Sequence, residues 1–134
     1  MAHEIPYVAT ATVAELHDLE AKVCRAMEIH GARYIHILVP CPLGWGHDSA
    51  ETIKIARLAK ETGLFPVFEA EGSKVTQVSK IKHKLPVEEY LRPQQRYAHL
   101  FKDPARRDVI DRIQQMADRN ILRYRLLDDV ERRA

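Results

Sequence analysis

The sequence predicts an α/β fold with a mostly parallel sheet, flanking helices, and a C-terminal arm that leads into a last helix. Short apolar, β-branched runs alternate with amphipathic segments in the first half, which is typical of strand-helix-strand units with right-handed crossovers. The second half lacks such runs and contains a polar stretch followed by a long amphipathic segment. We expect residues 1–79 to form the sheet portion, and residues 80–134 to pack on it as arm and amphipathic helix within one domain.

The first strand and helix are predicted from local composition. Residues 7–12 are apolar and rich in Val, Ala and Thr, as in a buried strand. Thr12 and Glu15 have the spacing of a capping box, and Gly31 is a usual helix terminator. Between them, apolar residues recur at helical spacing, namely Leu16, Leu19, Val23, Ala26 and Met27. We therefore expect a helix over residues 13–30.

A second strand and helix follow in the same order. Residues 34–39 are continuously apolar and β-branched, as in a buried strand, and Pro40-Cys41-Pro42 ends the run because proline has no N–H for a central ladder. Asp48 and Glu51 repeat the capping-box spacing before an apolar helical face. This predicts a helix over residues 49–62.

A hairpin is predicted next. Residues 65–70 and 74–79 flank Glu71-Gly72-Ser73, which favours a buried strand and an exposed partner joined by a tight turn.

The second half is predicted to contain little sheet. Pro86 opens a short helical turn at residues 87–91, and residues 92–102 are polar, as in an extended arm. Asp103-Pro104 begins a final helix, whose apolar stripe comprises Val109, Ile113, Met116, Ala117, Ile121 and Tyr124.

Composition limits the class of protein. With 134 residues, 46% hydrophobic and 30% charged, the chain is sized for one globular domain. A net charge of +2 provides no strong field for nucleic acid or an anionic membrane, and no apolar run reaches the ~20 residues of a membrane span. Two cysteines are too few for a disulfide framework, and the N-terminus shows no signal-peptide pattern. We expect a cytoplasmic protein that binds neither nucleic acid nor membrane.

Cys41 is the most informative position for chemistry. It follows a predicted strand, and in open α/β sheets ligands bind beyond the carboxyl ends of the strands. A thiol there is either a metal ligand or a small apolar filler, and the absence of a Cys-x-x-Cys neighbour favours the filler. Cys24 lies near the apolar face of the first predicted helix, which indicates a packing role.

Residues 44–49 follow a strand and open a helix, the context of a phosphate-binding loop. The glycine pattern is incomplete and the P-loop Gly-Lys-Ser/Thr is absent, so a capped turn is the favoured interpretation. His47 is then a solvated loop residue and Asp48 a cap, whereas His36 is a core or edge histidine rather than a catalytic base.

Basic residues cluster in the arm, where they contact phosphates or form a solvated surface; they are Lys80, Lys82, His83, Lys84, Arg92 and Arg96. No nucleic-acid fold signature accompanies them, which favours the solvated surface. A Gly-x-Ser-x-Gly nucleophile elbow is also absent, so we do not expect an independent hydrolase.

Several segments together resemble the β subunit of pyruvate:ferredoxin oxidoreductase, in order and spacing. They are residues 5–12, residues 34–42 with Trp45, residues 52–63, residues 86–91 and residues 94–97. The resemblance runs from about Ile5 to Tyr124. It implies a C-terminal part of the thiamine-diphosphate-binding subunit, whose fold here is part of the pyrophosphate-binding (PP-type) domain.

The resemblance implies one site residue. In that family the cysteine after this strand is a ligand of a [4Fe–4S] cluster, and Cys41 occupies the position. Such a cluster takes four thiolates as a rule, so the remaining cysteines must come from elsewhere. The family's Gly-Asp-Gly segment, which holds Mg²⁺ and the diphosphate, is also absent. We expect no catalytic or cofactor-binding residue besides Cys41.

The implied function is that of one component of a complex that oxidises pyruvate or a related 2-oxoacid to acetyl-CoA, with electrons passing through [4Fe–4S] clusters to ferredoxin. Thiamine diphosphate and Mg²⁺ belong to the assembled complex, and other subunits carry the diphosphate motif and the remaining cluster cysteines. The chain is then a split subunit, a truncated chain or a degenerate paralogue, and is not active alone. The alternative is a non-catalytic scaffold or interaction module derived from that subunit.

Overall fold

The computed structural model describes residues 4–127. Its four strands are β1 (Tyr7–Thr12), β2 (Arg33–Leu38), β3 (Phe68–Glu71) and β4 (Lys74–Val78). Its six helices are α1 (Leu16–Glu28), α2 (Pro42–Trp45), α3 (Thr52–Glu61), α4 (Val87–Leu91), α5 (Ala98–Lys102) and α6 (Arg107–Tyr124). The predicted α/β class, with flanking helices and a C-terminal helix, is confirmed. None of the helices between residues 4 and 127 combines the length and apolarity needed to cross a bilayer.

The four strands form one sheet in the order β2-β1-β3-β4. β1 and β2 are parallel, with Tyr7 opposite Arg33, whereas β3 runs antiparallel to β1, with Val8 opposite Ala70. β4 returns antiparallel to β3. Across the described strands the sheet is therefore mostly antiparallel, in contrast to the mostly parallel sheet that the sequence predicts.

Thr10 anchors the start of β3. Its hydroxyl donates to the carbonyl of Pro66 (2.7 Å) and accepts from the backbone N–H of Phe68 (2.9 Å). β3 therefore begins beside the carboxyl half of β1, and from there it runs back towards the beginning of β1. Alternating strands and helices in the sequence carry no information about where a strand enters the sheet.

The predicted hairpin is present. Gly72 and Ser73 have φ values of 51° and 67°, as the two central residues of a type I′ turn require. β4 is almost wholly exposed, as expected for the outer strand, while Phe68 and Ala70 of β3 are buried.

The helices cover both faces of the sheet. α1 packs through Ala26 on the face that carries Tyr7 and Ala9. The opposite face carries Val8, and α6 reaches it through Tyr124, whose ring stacks on Phe68 with centroids 5.0 Å apart. The largest cluster of buried residues joins α3, α4, α5 and α6 through Ile55, Ala59, Val87, Tyr90, Leu91, Leu100, Ile110 and Ala117.

The helix limits differ from the predicted ones at several ends. α1 begins at Leu16 instead of residue 13, because Thr12 Oγ1 accepts from Ala14 N (3.3 Å) and holds an intervening turn. In α6 the predicted residues Ala117 and Ile121 are buried, but Met116 is 52% exposed.

The arm is folded rather than extended. A 3₁₀ turn at Gln95–Tyr97 continues into α5, and Leu100 lies in the largest buried cluster. At the start of the arm, the backbone N–H of Ile81 donates to the carbonyl of Leu126 (2.9 Å), which ties this part of the arm to the residues after α6. The division at residues 79 and 80 stays a prediction.

β2 is an edge strand. The sequence predicts a buried strand over residues 34–39, but Tyr34 is 52% exposed, Ile37 40% and Val39 56%. Residues 34–39 are largely apolar, as predicted, but no element within residues 4–127 lies beside β2 at the edge of the sheet.

Candidate functional site

The candidate site is the loop after β2, which carries Cys41. Pro40 is buried and ends the strand, while Pro42 occupies the first position of the four-residue α2. Cys41 lies between them with an exposed, free thiol. Its carbonyl accepts from the N–H of Trp45 (2.9 Å), so backbone geometry fixes the position of the residue.

Two glycines shape the loop around the thiol. A Cβ at Gly44 would lie 3.5 Å from Cys41 Sγ, so glycine leaves that side of the sulfur open. Gly46 ends α2 in the left-handed region at φ 69°, and a Cβ there would lie only 2.6 Å from Gln95 Cβ. Gly46 therefore permits the arm to contact the loop directly.

The arm is hydrogen-bonded to the loop. The N–H of Gln95 donates to the carbonyl of Gly46 (3.0 Å). The guanidinium of Arg96 lies between two rings, 3.7 Å from the Trp45 centroid and 4.6 Å from the Tyr97 centroid. These contacts hold α2, and with it the Cys41 loop, against the 3₁₀ turn of the arm.

A buried amide holds Arg96 in place. Gln94 is completely buried; its Oε1 accepts from Arg96 Nε (2.9 Å) and its Nε2 donates to the carbonyl of Tyr90. Arg96 also donates through Nη2 to the Tyr90 hydroxyl (3.1 Å). Burial raises the pKa of Tyr90, although the nearby Arg96 charge opposes the shift. The tyrosine therefore remains neutral near pH 7.

Sequence reasoning missed this network. It left Arg96 open as a phosphate contact or a solvated residue, whereas the structure packs it, half-buried, between the arm and Trp45 of the loop. An arginine next to Tyr97 could have suggested a cation–π contact. The second ring, Trp45, lies in a distant segment, and no sequence pattern indicates that the two segments meet.

Other basic residues of the arm take part in ion pairs. Lys84 Nζ lies 2.8 Å from Asp118 Oδ1, and Arg92 pairs with Glu88 at 2.8 Å while stacking on Phe101. Those pairings favour the solvated-surface interpretation for these two residues.

The polar residues of the loop act mainly in local structure. Asp48 accepts from Ala50 N (2.8 Å) and caps the 3₁₀ turn, as predicted, whereas Glu51 pairs with Lys54 (2.7 Å) instead of completing the capping box. His47 is half-buried rather than solvated: Nδ1 lies 2.8 Å from the Asp48 carbonyl, and Nε2 is buried without a hydrogen-bond partner within residues 4–127.

Two further candidates lie away from the loop. His36 is an edge-strand histidine whose ring contacts Phe65 (centroids 5.3 Å apart), in keeping with the predicted structural role. Cys24 is exposed on α1, so its predicted packing role is wrong, because Lys22 and Ala26 occupy the buried face.

Within residues 4–127 no group of three or more His, Cys, Asp or Glu is arranged to hold a metal ion. The open, free thiol of Cys41 has the donor chemistry that an iron–sulfur cluster takes, but such a cluster takes four thiolates as a rule. A complete site requires cysteines from outside the described part of the chain.

Comparison with known proteins identifies relatives of the chain. It is 48% identical to the pyruvate synthase subunit PorB of Methanosarcina barkeri over 93% of this chain and 42% of PorB. The corresponding values are 44%, 87% and 38% for PorB of Methanocaldococcus jannaschii, and 41%, 77% and 34% for the ketoisovalerate oxidoreductase subunit VorB of Pyrococcus abyssi. No protein-family model matches the chain.

Over most of its own length, the chain is similar to β subunits of 2-oxoacid:ferredoxin oxidoreductases. The resemblance inferred from the motifs is thereby confirmed. The chain spans about two fifths of the length of the PorB subunits that it matches. More than half of each of these PorB subunits, a stretch longer than this chain, therefore lies outside the matched region.

Proposed function

We propose that the chain is one component of a pyruvate-type 2-oxoacid:ferredoxin oxidoreductase and is incomplete on its own. The reaction would be the oxidative decarboxylation of pyruvate to acetyl-CoA, with electrons passed through [4Fe–4S] clusters to ferredoxin. The observation that carries the proposal is an exposed thiol at a strand end, in a chain closely similar to PorB. Pyruvate is the proposed substrate because of that similarity.

Cys41 is the residue of this chain proposed to contact a cofactor. Its thiol would be one ligand of a [4Fe–4S] cluster, which when bound supplies one-electron transfer. The backbone bond to Trp45 and the contacts of Arg96 and Gln95 hold the loop, and Gly44 leaves space beside Sγ. Support for this role comes from the fit of donor type, exposure and a fixed backbone.

The rest of the chemistry is assigned to partners. Thiamine diphosphate and Mg²⁺ need hard oxygen ligands and backbone donors, which the absent Gly-Asp-Gly segment provides in the family. The proposed partners are a subunit with that segment and the remaining cluster cysteines, and ferredoxin as acceptor. A cytoplasmic location is proposed, since Cys24 and Cys41 are free, exposed thiols of the kind that a reducing compartment preserves.

Cys41→Ser tests the proposal. The chain would be assembled with the products of its neighbouring genes, and the iron content and the pyruvate-dependent reduction of ferredoxin measured. We expect the variant complex to lose the iron of one cluster and most ferredoxin reduction. Cys24→Ser is the matched control, because it removes a second free, exposed thiol. Unchanged iron and activity in Cys41→Ser would refute the role of Cys41.

A scaffold or interaction module is the second candidate. It is favoured by the absence of Gly-Asp-Gly and, within residues 4–127, of any metal-binding cluster. The two candidates differ in their partners: a scaffold is isolated without the catalytic subunit. Constant co-purification with a subunit that carries Gly-Asp-Gly and Cys-x-x-Cys would exclude an independent scaffold.

A further inference from the structure

The two edges of the sheet differ in chemistry. β4 exposes Lys74, Thr76 and Gln77 beside the apolar Val75, and its pairing with β3 is irregular at Glu69 and Ala70; polar side chains and an irregularity are features of an edge that stays free in water. β2 exposes the large apolar side chains of Tyr34 and Ile37 beside the polar Arg33 and His36, and Val39 is exposed just after its end. An apolar edge with unpaired backbone groups is a template for an additional strand.

One flank of α1 extends the same surface. Arg25 hydrogen-bonds Glu71 of β3 at 3.0 Å, so that flank of α1 faces the β3 side of the sheet. At 100° per residue, Leu16, Val23 and Met27 fall within a narrow stripe on the opposite flank, the β2 side. They are 65%, 43% and 74% exposed.

Ile37 joins the stripe to the strand. Ile35 packs in the cluster under α1 together with Tyr7 and Ala26, and Ile37 lies two residues further along β2, so it points to the same face. We call Leu16, Val23, Met27, Ile37 and Val39 the β2 surface. These residues form an apolar area beside an unpaired strand, of the kind that marks an interface.

We propose that the β2 surface is the docking site for the part of the PorB-type subunit that this chain does not span. That part would add a strand along β2 and rest apolar side chains on the α1 stripe. The proposal rests on the proposed function. Two observations select this occupant: the relatives are more than twice as long as the matched region, and the opposite edge, at β4, is mostly polar and irregularly paired with β3.

The position of Cys41 agrees with this occupant. Cys41 lies three residues beyond the end of β2, so whatever pairs with β2 lies near the thiol. The proposed function requires further cysteines from outside the chain at that point. One docking event would therefore cover the apolar surface and complete the ligand set.

The test uses co-expression with a defined probe, the part of the Methanosarcina barkeri PorB subunit that lies outside the matched region. Complex formation would be measured by size exclusion with light scattering, for the unchanged chain and for Ile37→Lys and Met27→Lys. Leu122→Lys on α6 is the matched control, because Leu122 is also apolar and 69% exposed. We expect a complex with the unchanged chain and the control, and at least tenfold weaker association for the other two variants.

Hydrogen exchange gives a second measurement that needs no variant. The backbone amides of β2 that point away from β1 should gain protection in the complex, while those of β4 should not. Equal association of all variants, absent protection in β2, failure to form a complex, or a homodimer that Ile37→Lys disrupts would each overturn the proposal. Failure of the proposed function alone would give a different result: β2 would be protected from hydrogen exchange in the complex, but no iron would be bound at Cys41.

Discussion

The guanidinium carbon of Arg96 lies 3.7 Å from the centroid of the Trp45 ring. This contact joins the arm to the loop that carries Cys41, and its two partners are fifty-one positions apart in sequence. Gln94 and Tyr90 hold the arginine through side-chain hydrogen bonds on its other side. The contact therefore helps to hold the Cys41 loop in position against the arm.

Arg96→Ala should destabilise the chain by about 2–4 kcal/mol, because it removes a partly buried cation–π contact and leaves the buried Gln94 carbonyl without its donor. Arg96→Lys should restore only part of the loss, since ammonium lacks the planar fork. Urea unfolding followed by fluorescence checks both, and Trp45 is the only tryptophan. An unchanged unfolding midpoint and emission spectrum for Arg96→Ala would show that the contact is unimportant.

Gly46→Ala should displace the arm from the loop. The substitution places a Cβ 2.6 Å from Gln95 Cβ and forces a non-glycine residue to φ 69°. Gly72→Ala is the matched control, because Gly72 also has positive φ (51°) but meets no atom within 4 Å. The control should lose only the ~1–2 kcal/mol of left-handed strain, and Gly46→Ala at least ~1 kcal/mol more. Equal losses in thermal unfolding would contradict the predicted close contact.

Lys22→Met should destabilise the fold although it places an apolar side chain in a buried position. Lys22 is 2% exposed, and its Nζ donates to the Thr10 carbonyl (2.9 Å) and to Asp18 Oδ2 (2.6 Å). The substitution leaves both acceptors without this donor, at a cost of about 2–3 kcal/mol. Lys54→Met, in the exposed pair with Glu51, should change the free energy of unfolding by less than about 1 kcal/mol. A small effect at both sites would refute this account of Lys22.

Glu88 should contribute to acid sensitivity. Hydrogen bonds from Arg92 and Arg107 hold the pKa of its carboxyl below the usual value of about 4.5. A lowered folded pKa means that the stabilisation is complete above about pH 4.5 and is lost as pH falls through the folded pKa. Glu88→Gln should therefore flatten the pH dependence of stability below that pH and leave its slope near pH 7 unchanged. Denaturant titrations at stepwise pH test this, and an identical acid slope in the variant would contradict it.

Much of the local structure was predictable because its causes are local. Residues 7–12 form β1 as predicted, since apolar β-branched composition suffices to define a strand. The turn at Gly72 and Ser73 follows from the tolerance of glycine for positive φ. The position of Cys41 at a strand end was predictable in the same way, from the prolines on either side.

The sequence by itself determined the alternation of strands and helices, the hairpin, and the resemblance to 2-oxoacid:ferredoxin oxidoreductase β subunits, because these depend on neighbouring residues and on short motifs. Only the tertiary structure decided the antiparallel direction of β3 and the exposure of the apolar strand β2. It also decided that Arg96 supports the Cys41 loop rather than facing solvent. Each of these results depends on which distant segments meet in space, and the periodicity of a single segment does not encode that.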